Sequence, residues 1–454
     1  MIFDELEFSP YDKAERKARK AFELYEDGDL NLALEALETA IEINPSNCSW
    51  HFNKALTLDA MSRFDDAIKE YEAALQLNPN DLEILNSLAV DYTRIGQYDR
   101  AIETFEYLQE IDPTFEPSYC NRIITYAEMG LHDLAEQMFY LAQQIKPGCA
   151  LCYYNIGNSL FARGQYKKAI SCWIRTAELE PTHPQINYRI AQAYWSSGDI
   201  ERSREHFLAE LRVNPGDVDV IFDFGLFLLA AGEIESAKEK FNRILELKPG
   251  FAPAIFYLGE IAFDSKEYER AAQLYKEAMQ KDSSLAGPRY RLGQYALTRG
   301  ELAEARDYFI SEMKVANEDA NVLVSMGSML LEAGDLDYAT HCLLWAVDID
   351  SANADAYYYL GAASAMKGEF RDAAEFFTHT LDIKSEHILA LRDSAFVYLA
   401  IGKLDEAAKR IEKAHSLADG DPQIRLLQRR IRLARLKEQI TGFLCKFKFR
   451  KGKV

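Results

Sequence analysis

A fixed spacing of about 34 residues recurs along nearly the whole chain and limits its fold more than any other feature. Repeated steps of this length from Ala169, in either direction, reach alanine in every repeat but one, where Ser203 stands. The same steps from Gly164 reach glycine except at Ser62 and Lys266. No residue is inserted or deleted along the series, so the chain contains twelve equal repeats. Such a period predicts stacked copies of one supersecondary unit rather than two or three globular domains.

Each repeat reads as two amphipathic helices of about a dozen residues. In the fifth repeat, Gly164 can adopt the left-handed conformation that ends the first helix, and Pro181 ends the second. The small residues Gly157 and Ala169 would let the two helices approach closely, with Trp173 filling the angle between them. In the last five repeats Ser, Asn or Asp replaces the terminal proline. These residues also form turns, so we expect the helix pairs to continue.

This order of small, bulky and helix-ending residues resembles the tetratricopeptide repeat, which has the same period. The resemblance covers residues 14–421 and leaves residues 1–13 as a short lead-in. It implies an all-α fold, in which helix pairs stack into a right-handed superhelical solenoid. It also implies that the first helix of each pair lines an inner, concave groove.

The segment after the repeats reads as a helix followed by a basic tail. We expect residues 422–441 to form a capping helix over the open end of the twelfth repeat, and residues 442–454 to form the tail. Five apolar residues fall on one face of this segment, as a cap requires: Leu426, Leu433, Leu436, Ile440 and Phe443.

The net charge of −20 is unevenly distributed. From Arg425 onward there are eleven basic residues against Glu438 alone, which leaves 41 basic and 71 acidic residues before it. An acidic body repels phosphates, so we expect no nucleic acid along it. The same charge favours basic partners. The tail can dock on this acidic body or on an anionic membrane, and the sequence leaves both possibilities open.

The sequence predicts a cytoplasmic protein. The N-terminus begins acidic and lacks an apolar run, so it does not read as a signal peptide. The most apolar stretch, residues 218–231, is short and contains Asp219 and Asp223, so we expect no membrane span. Seven cysteines in a long, core-forming chain suggest thiols in a reducing compartment.

No motif for chemistry stands out from the repeats. The sequence contains no phosphate-binding glycine loop, no nucleophile elbow and no metal-binding His-Glu-His helix. Cys149 and Cys152 form the only CxxC pair, which is half of a structural zinc site. We interpret the pair as incidental thiols, with a redox or metal role as the alternative. The prediction is therefore a chain that is not an enzyme, with no cofactor and no metal.

Aromatic residues recur at one position of the first helices. The inner row comprises five residues that are each one repeat apart: Tyr154, Tyr188, Phe222, Phe256 and Tyr290. Trp195 belongs to a second row, one helical turn later. Rigid rings supply contact area at a low entropic cost and suit a protein interface. The spacing leaves two uses open, packing between repeats and contact with a bound partner.

Carboxamides accompany the inner row. Asn155 and Asn158 resemble the asparagine motif of O-linked N-acetylglucosamine transferase repeats, where an inner asparagine ladder holds peptide backbone. Asn121 and Gln192 extend the amide groups into the neighbouring repeats. Carboxamides suit this task because they donate and accept hydrogen bonds at once. The ladder is partial, with Ser87 in place of one asparagine.

These features predict a non-enzymatic scaffold or adaptor that binds protein segments in its groove. Asp223, Glu260 and Asp264 would favour a segment with Lys or Arg between its apolar anchors. Two alternatives remain. One is a membrane-surface assembly factor that uses the basic tail, and the other is a regulatory or substrate-recruiting subunit of a separate modifying enzyme.

Overall fold

A computed structural model describes the backbone of residues 10–315 and 319–451, and the side chains of residues 11–315 and 319–441. Most of the predicted lead-in, residues 1–9, lies outside this part of the chain. The described residues form 25 α-helices and no strand, which confirms the all-α prediction. None of these helices combines the length and the apolar character that crossing a membrane requires.

Two compact units divide the chain, Met1–Phe227 and Leu228–Val454. The helices of the first unit are α1 (Pro10–Glu26), α2 (Leu30–Ile43), α3 (Cys48–Ala60), α4 (Phe64–Leu77), α5 (Leu82–Arg94), α6 (Tyr98–Ile111), α7 (Glu116–Glu128), α8 (His132–Ile145), α9 (Ala150–Ala162), α10 (Tyr166–Leu179), α11 (Ile186–Ser196) and α12 (Ile200–Val213). Helix α13 (Val218–Ala230) begins in the first unit and ends in the second. The second unit continues with α14 (Ile234–Leu247), α15 (Ala252–Asp264), α16 (Tyr268–Lys281), α17 (Pro288–Thr298), α18 (Leu302–Met313), α19 (Ala320–Glu332), α20 (Leu336–Ile349), α21 (Ala354–Lys367), α22 (Phe370–Ile383), α23 (Ile388–Ala400), α24 (Leu404–Leu417) and α25 (Pro422–Lys451). One helix pair thus corresponds to each predicted repeat, and α25 follows the last pair.

The turn between the two helices of a repeat depends on one left-handed residue. Gly164 has φ +69°, and its N–H donates to the carbonyl oxygen of Phe161 at 2.9 Å. This bond satisfies a carbonyl that the helix end would otherwise leave without a donor. Ser62 and Lys266 replace glycine in two repeats and still adopt φ +60° and +63°. The turn geometry is therefore kept even where the residue disfavours it.

The core of each repeat forms where a small residue on the first helix meets a large one on the second. A methyl group at Gly157 would lie 2.7 Å from Cδ1 of Trp173, which is closer than two carbon atoms can approach. Ala169 and Trp173 are both fully buried. Gly361 and Phe377 repeat this arrangement in the second unit, at the equivalent positions of their repeat. The predicted close approach of the paired helices is confirmed.

Helix α25 packs on the last repeat, but through a different face from the predicted one. Its buried apolar side chains, among those described, are Ile424, Leu427 and Ile431, which join the core of the twelfth repeat. Four of the residues expected to cover the repeat are instead more than half exposed: Leu426, Leu433, Leu436 and Ile440. The fifth, Phe443, has its side chain outside the described residues. The segment carries two apolar stripes on opposite faces. The prediction chose the wrong one, because the stripe that packs on α24 is the one that contains Leu427. The helix also continues past the predicted cap, to Lys451.

Candidate functional site

The inner row of the first unit is half-buried. Tyr154, Tyr188 and Phe222 all have intermediate exposure. The ring centroid of Tyr188 lies 6.2 Å from that of Phe207, the buried ring on the second helix of the same repeat. The ring of Tyr154 lies 4.4 Å from the imidazole of His183. These rings pack within the repeat array and present only part of their surface to solvent.

The inner row of the second unit packs in the same way. The ring of Phe256 lies 5.7 Å from that of Tyr275, and the ring of Tyr290 lies 6.3 Å from that of Phe309. Both pairs have the same separation along the chain as Tyr188 and Phe207, so this contact recurs with the repeat. Rings that fill this position stabilise the helix pair, and their removal would affect folding as well as any binding.

Asp223 joins two repeats of the first unit at the centre of the candidate surface. Its Oδ2 accepts a hydrogen bond from the hydroxyl of Tyr188 at 2.6 Å and another from Nε2 of Gln192 at 3.0 Å. Burial and the neighbouring carboxylate raise the pKa of Tyr188 above its usual value, so its hydroxyl stays protonated. Trp195 meets the ring of Phe227 edge-on at 5.8 Å. Both donors to Asp223 are neutral, so neither of them compensates the negative charge of the carboxylate.

The predicted acidic groups of the second unit differ in availability. Glu260 forms an ion pair with Arg291, whose Nε lies 2.9 Å from Oε1. The same carboxylate accepts a hydrogen bond from the hydroxyl of Tyr275 at 2.6 Å. Asp264 is exposed at the end of α15. Glu260 is therefore already neutralised within the protein, in contrast to Asp223.

The predicted amide groups fall into two classes. Asn155 is only 3% exposed, and its Nδ2 donates to the carbonyl oxygen of Cys120 at 3.1 Å. This placement corrects the prediction that Asn155 faces a partner, because its donor is used between neighbouring repeats. Asn121 similarly donates to Oδ1 of Asn86 at 3.0 Å and is half-buried. Asn158 is half-buried and makes no side-chain hydrogen bond with any described residue.

A buried cluster of possible metal ligands lies where α7 faces the start of α9. Its members, which we call the Cys–Glu cluster, are Glu116, Cys120, Cys149 and Cys152. One ligand atom from each residue lies within 4.8 Å of all the others. The CxxC motif identifies only two of these residues, so Glu116 and Cys120 were missed from the sequence. The sequence feature that could have revealed the cluster is Cys120. It lies on α7, the first helix of the preceding repeat, and stacking of the repeats brings it next to the CxxC pair.

No curated protein matches the chain in sequence. Among solved structures, yeast Tom70 is 14% identical, with a TM-score of 0.41 over 94% of this chain and 96% of that one. Cut9–Hcn1, described as an APC/C hetero-tetramer, is 14% identical, with a TM-score of 0.41 over 94% of this chain and 97% of that one. YrrB, described as a TPR protein with an unusual peptide-binding site, is 24% identical, with a TM-score of 0.33 over 41% of this chain and 95% of that one.

Family models match most of the chain, and all of them describe the same repeat. Models named tetratricopeptide repeat match residues 14–47, 52–114, 222–286, 325–386 and 364–431. A TPR repeat model matches residues 157–198, and a model of YpiA-like C-terminal tetratricopeptide repeats matches residues 184–250. The matches follow the helix pairs and the turns that the structure shows. The chain belongs to the tetratricopeptide repeat family.

Proposed function

We propose that this chain is a non-enzymatic scaffold that holds an extended segment of a partner protein. The repeat family supports the general role, because it is a non-catalytic fold used in protein–protein interaction. The binding surface that we propose lies in the first unit, on the first helices of repeats five to seven. Its members are Tyr154, Asn158, Tyr188, Gln192, Trp195 and Phe222, together with Asp223.

The negative charge of Asp223 is the observation that carries this proposal. Its carboxylate accepts from the hydroxyl of Tyr188, a half-buried ring of the inner row, and from Gln192, and both donors are neutral. A carboxylate next to apolar surface attracts a cationic side chain and orients it. The partner segment would therefore place Lys or Arg near Asp223 and apolar side chains on the neighbouring rings.

Asn158 supplies the second kind of contact. Its amide is half-buried and unused within the described part of the chain. A carboxamide in this state can donate to and accept from the backbone of a bound segment, whatever its side chains are. Asn155, by contrast, is left out of the proposed surface because its amide already bonds to Cys120.

Selection of displayed peptides tests the proposal with the full-length chain. A random peptide library is selected on the wild type, and the affinities of the selected peptides are measured for Asn158→Ala and Asp223→Asn. We expect peptides rich in apolar and basic residues, with affinity reduced about tenfold or more in each variant, or roughly 1.4 kcal/mol. Asp223→Asn keeps an oxygen that can accept from Tyr188, so the fold should persist.

Tyr140→Ala is the matched control. Tyr140 is an exposed ring on α8, a second helix, and lies outside the proposed surface. Its removal should leave peptide affinity unchanged. Peptides that bind the wild type and both surface variants equally would refute the proposed location. Tyr188→Ala is less informative, because its ring and hydroxyl also stabilise the repeats.

A further inference from the structure

Four features distinguish the Cys–Glu cluster from ordinary core cysteines. The first is that its residues come from two helices in adjacent repeats. Glu116 and Cys120 lie one turn apart on α7, while Cys149 caps α9 and Cys152 lies in its first turn. All four residues are buried. Two adjacent repeats of the first unit thus direct three sulfurs and one carboxylate to the same point.

The second feature is a buried carboxyl group that forms no ion pair among the described residues. The Glu116 carboxylate accepts a hydrogen bond from Sγ of Cys152 at 3.1 Å. No Lys or Arg among the described residues forms an ion pair with it, and only the more distant charge of Lys146 acts on it. A carboxylate removed from water is costly unless a positive charge compensates it, and a metal ion would provide that charge.

The third feature is the match between these ligands and one class of metal. Zinc is bound by cysteine sulfur at about 2.3 Å and by carboxylate oxygen at about 2.0–2.2 Å, in a tetrahedron. Sulfurs around such an ion lie about 3.8 Å apart, as the tetrahedral angle and the bond length require. The cluster atoms already lie within 4.8 Å of one another, so small side-chain movements suffice. Three sulfurs disfavour Mg²⁺ and Ca²⁺, which prefer oxygen ligands.

The fourth feature is support from groups around the sulfurs. Nδ2 of Asn155 lies 3.6 Å from Sγ of Cys120 as well as 3.1 Å from its carbonyl oxygen. The N–H of Cys152 donates to Sγ of Cys149 at 3.3 Å. Donors of this kind orient ligands and are a regular part of metal sites.

We propose that the Cys–Glu cluster binds one structural Zn²⁺ ion that fastens the fourth repeat to the fifth. The ion would be held by three cysteine sulfurs and one carboxylate oxygen, with no open position for a substrate. Asn155 would be a positioning residue that holds Cys120. This proposal revises the interpretation of the CxxC pair as incidental thiols.

Metal titration of the full-length chain tests the site directly. The chain is purified under reducing conditions, stripped with a chelator, and titrated first with Co²⁺ and then with Zn²⁺. We expect one Co²⁺ per chain with intense sulfur-to-cobalt charge-transfer absorption, and its replacement by one equivalent of Zn²⁺. Absence of that absorption at saturating Co²⁺ would overturn the proposal. So would a disulfide between two cluster cysteines in the reduced preparation.

Variants locate the ligands. Cys152→Ser should abolish stoichiometric binding, and Asn155→Ala should weaken it by about 10–100-fold. Glu116→Gln preserves side-chain volume and should remain folded if Cys152→Ser does not, and it should also lose Zn²⁺ affinity. The matched control is Cys172→Ser, because Cys172 lies on α10 and packs against the same core cluster but is outside the ligand set. Equal losses in Cys172→Ser and Cys152→Ser would refute the assignment.

Discussion

Replacing Asp91 by asparagine should stabilise the first unit, and more strongly at pH 8 than at pH 5. Asp91 lies on α5 and is completely buried. Its Oδ1 accepts from Nη1 of Arg94 at 3.0 Å, whereas Oδ2 has no hydrogen-bond partner among the described residues. Arg94 also pairs with Asp59 on α3, so its charge is shared. Burial, and then the charge of Asp59, raise the pKa of Asp91 to about 7, although Arg94 opposes the shift.

The sign and size of the effect follow from this pKa. An aspartate in the unfolded chain has a pKa of about 3.9, so the folded chain binds one proton more between about pH 4 and 7. The free energy of unfolding therefore falls as the pH rises through this window. The total decrease is about 4 kcal/mol, because the folded and unfolded pKa values of Asp91 differ by about 3. Asparagine has the same shape and no charge, so the variant resembles the protonated wild type at every pH. Its advantage should grow from pH 5 to pH 8.

Hydrogen exchange of the α5 amides measures the expected difference as a free energy of local opening. Wild type and Asp91→Asn are compared at pH 5 and pH 8, so that other titrating groups cancel. The control is Asp66→Asn, because Lys69 and Arg63 lower the pKa of that exposed carboxylate. Its effect should be constant over the same range. A gain for Asp91→Asn that is equal at both pH values, or a loss at pH 8, would refute the reasoning.

Two further predictions concern the turns and the last helix. Lys266→Gly should stabilise the second unit by about 0.5–1 kcal/mol, because glycine avoids the strain of φ +63°, and an unchanged urea midpoint would count against this account. The exposed stripe that contains Leu433 and Leu436, together with the basic residues of α25, should make the chain sediment with phosphatidylserine vesicles. Deletion of residues 442–454 should weaken this binding by about 1 kcal/mol per basic charge removed, and sedimentation that is unaffected would eliminate the membrane alternative.

The fold could be predicted where the relevant contact lies within one repeat. Gly157 and Trp173 lie on the two helices of one repeat and must meet if these helices pair around Gly164, so their sizes alone predict the contact. The cap was harder. Leu426 and Leu427 belong to opposite apolar stripes of α25, and only the position of α24 decides which stripe is buried. Helical periodicity identifies such stripes but not their neighbours.

The inner row shows the same limit at the candidate site. The repeat period correctly places Tyr188 and Phe256 at one position of their helices. The period does not reveal that each of these rings contacts a buried ring on the second helix of its own repeat, as Tyr188 does with Phe207. That contact depends on how the first helix is rotated about its axis. A sequence pattern therefore finds the row but cannot separate packing from partner contact.

Asn155 and Asn158 differ in their hydrogen bonding, and the reason is a separation of 35 residues along the chain that recurs between bonded side chains. Asn155 donates to Cys120, 35 residues earlier, and Tyr188 donates to Asp223, 35 residues later. Side chains at this separation lie on facing surfaces of first helices in neighbouring repeats, so they join repeats to each other. We call this contact surface between neighbouring first helices the seam. The Cys–Glu cluster lies in it as well, since Glu116 and Cys152 are 36 residues apart.

Asn158 lies nearly one turn beyond this seam, and Gln192 is its equivalent in the next repeat. Asn155 therefore serves the array, or a metal within it, and Gln192 also bonds to the next repeat, whereas Asn158 makes no side-chain hydrogen bond with any described residue. This distinction gives the two proposals different consequences. Asn155→Ala should weaken Zn²⁺ binding, whereas Asn158→Ala should weaken peptide binding without changing metal affinity. If both variants affected both ligands equally, the seam and the proposed surface would be one site rather than two.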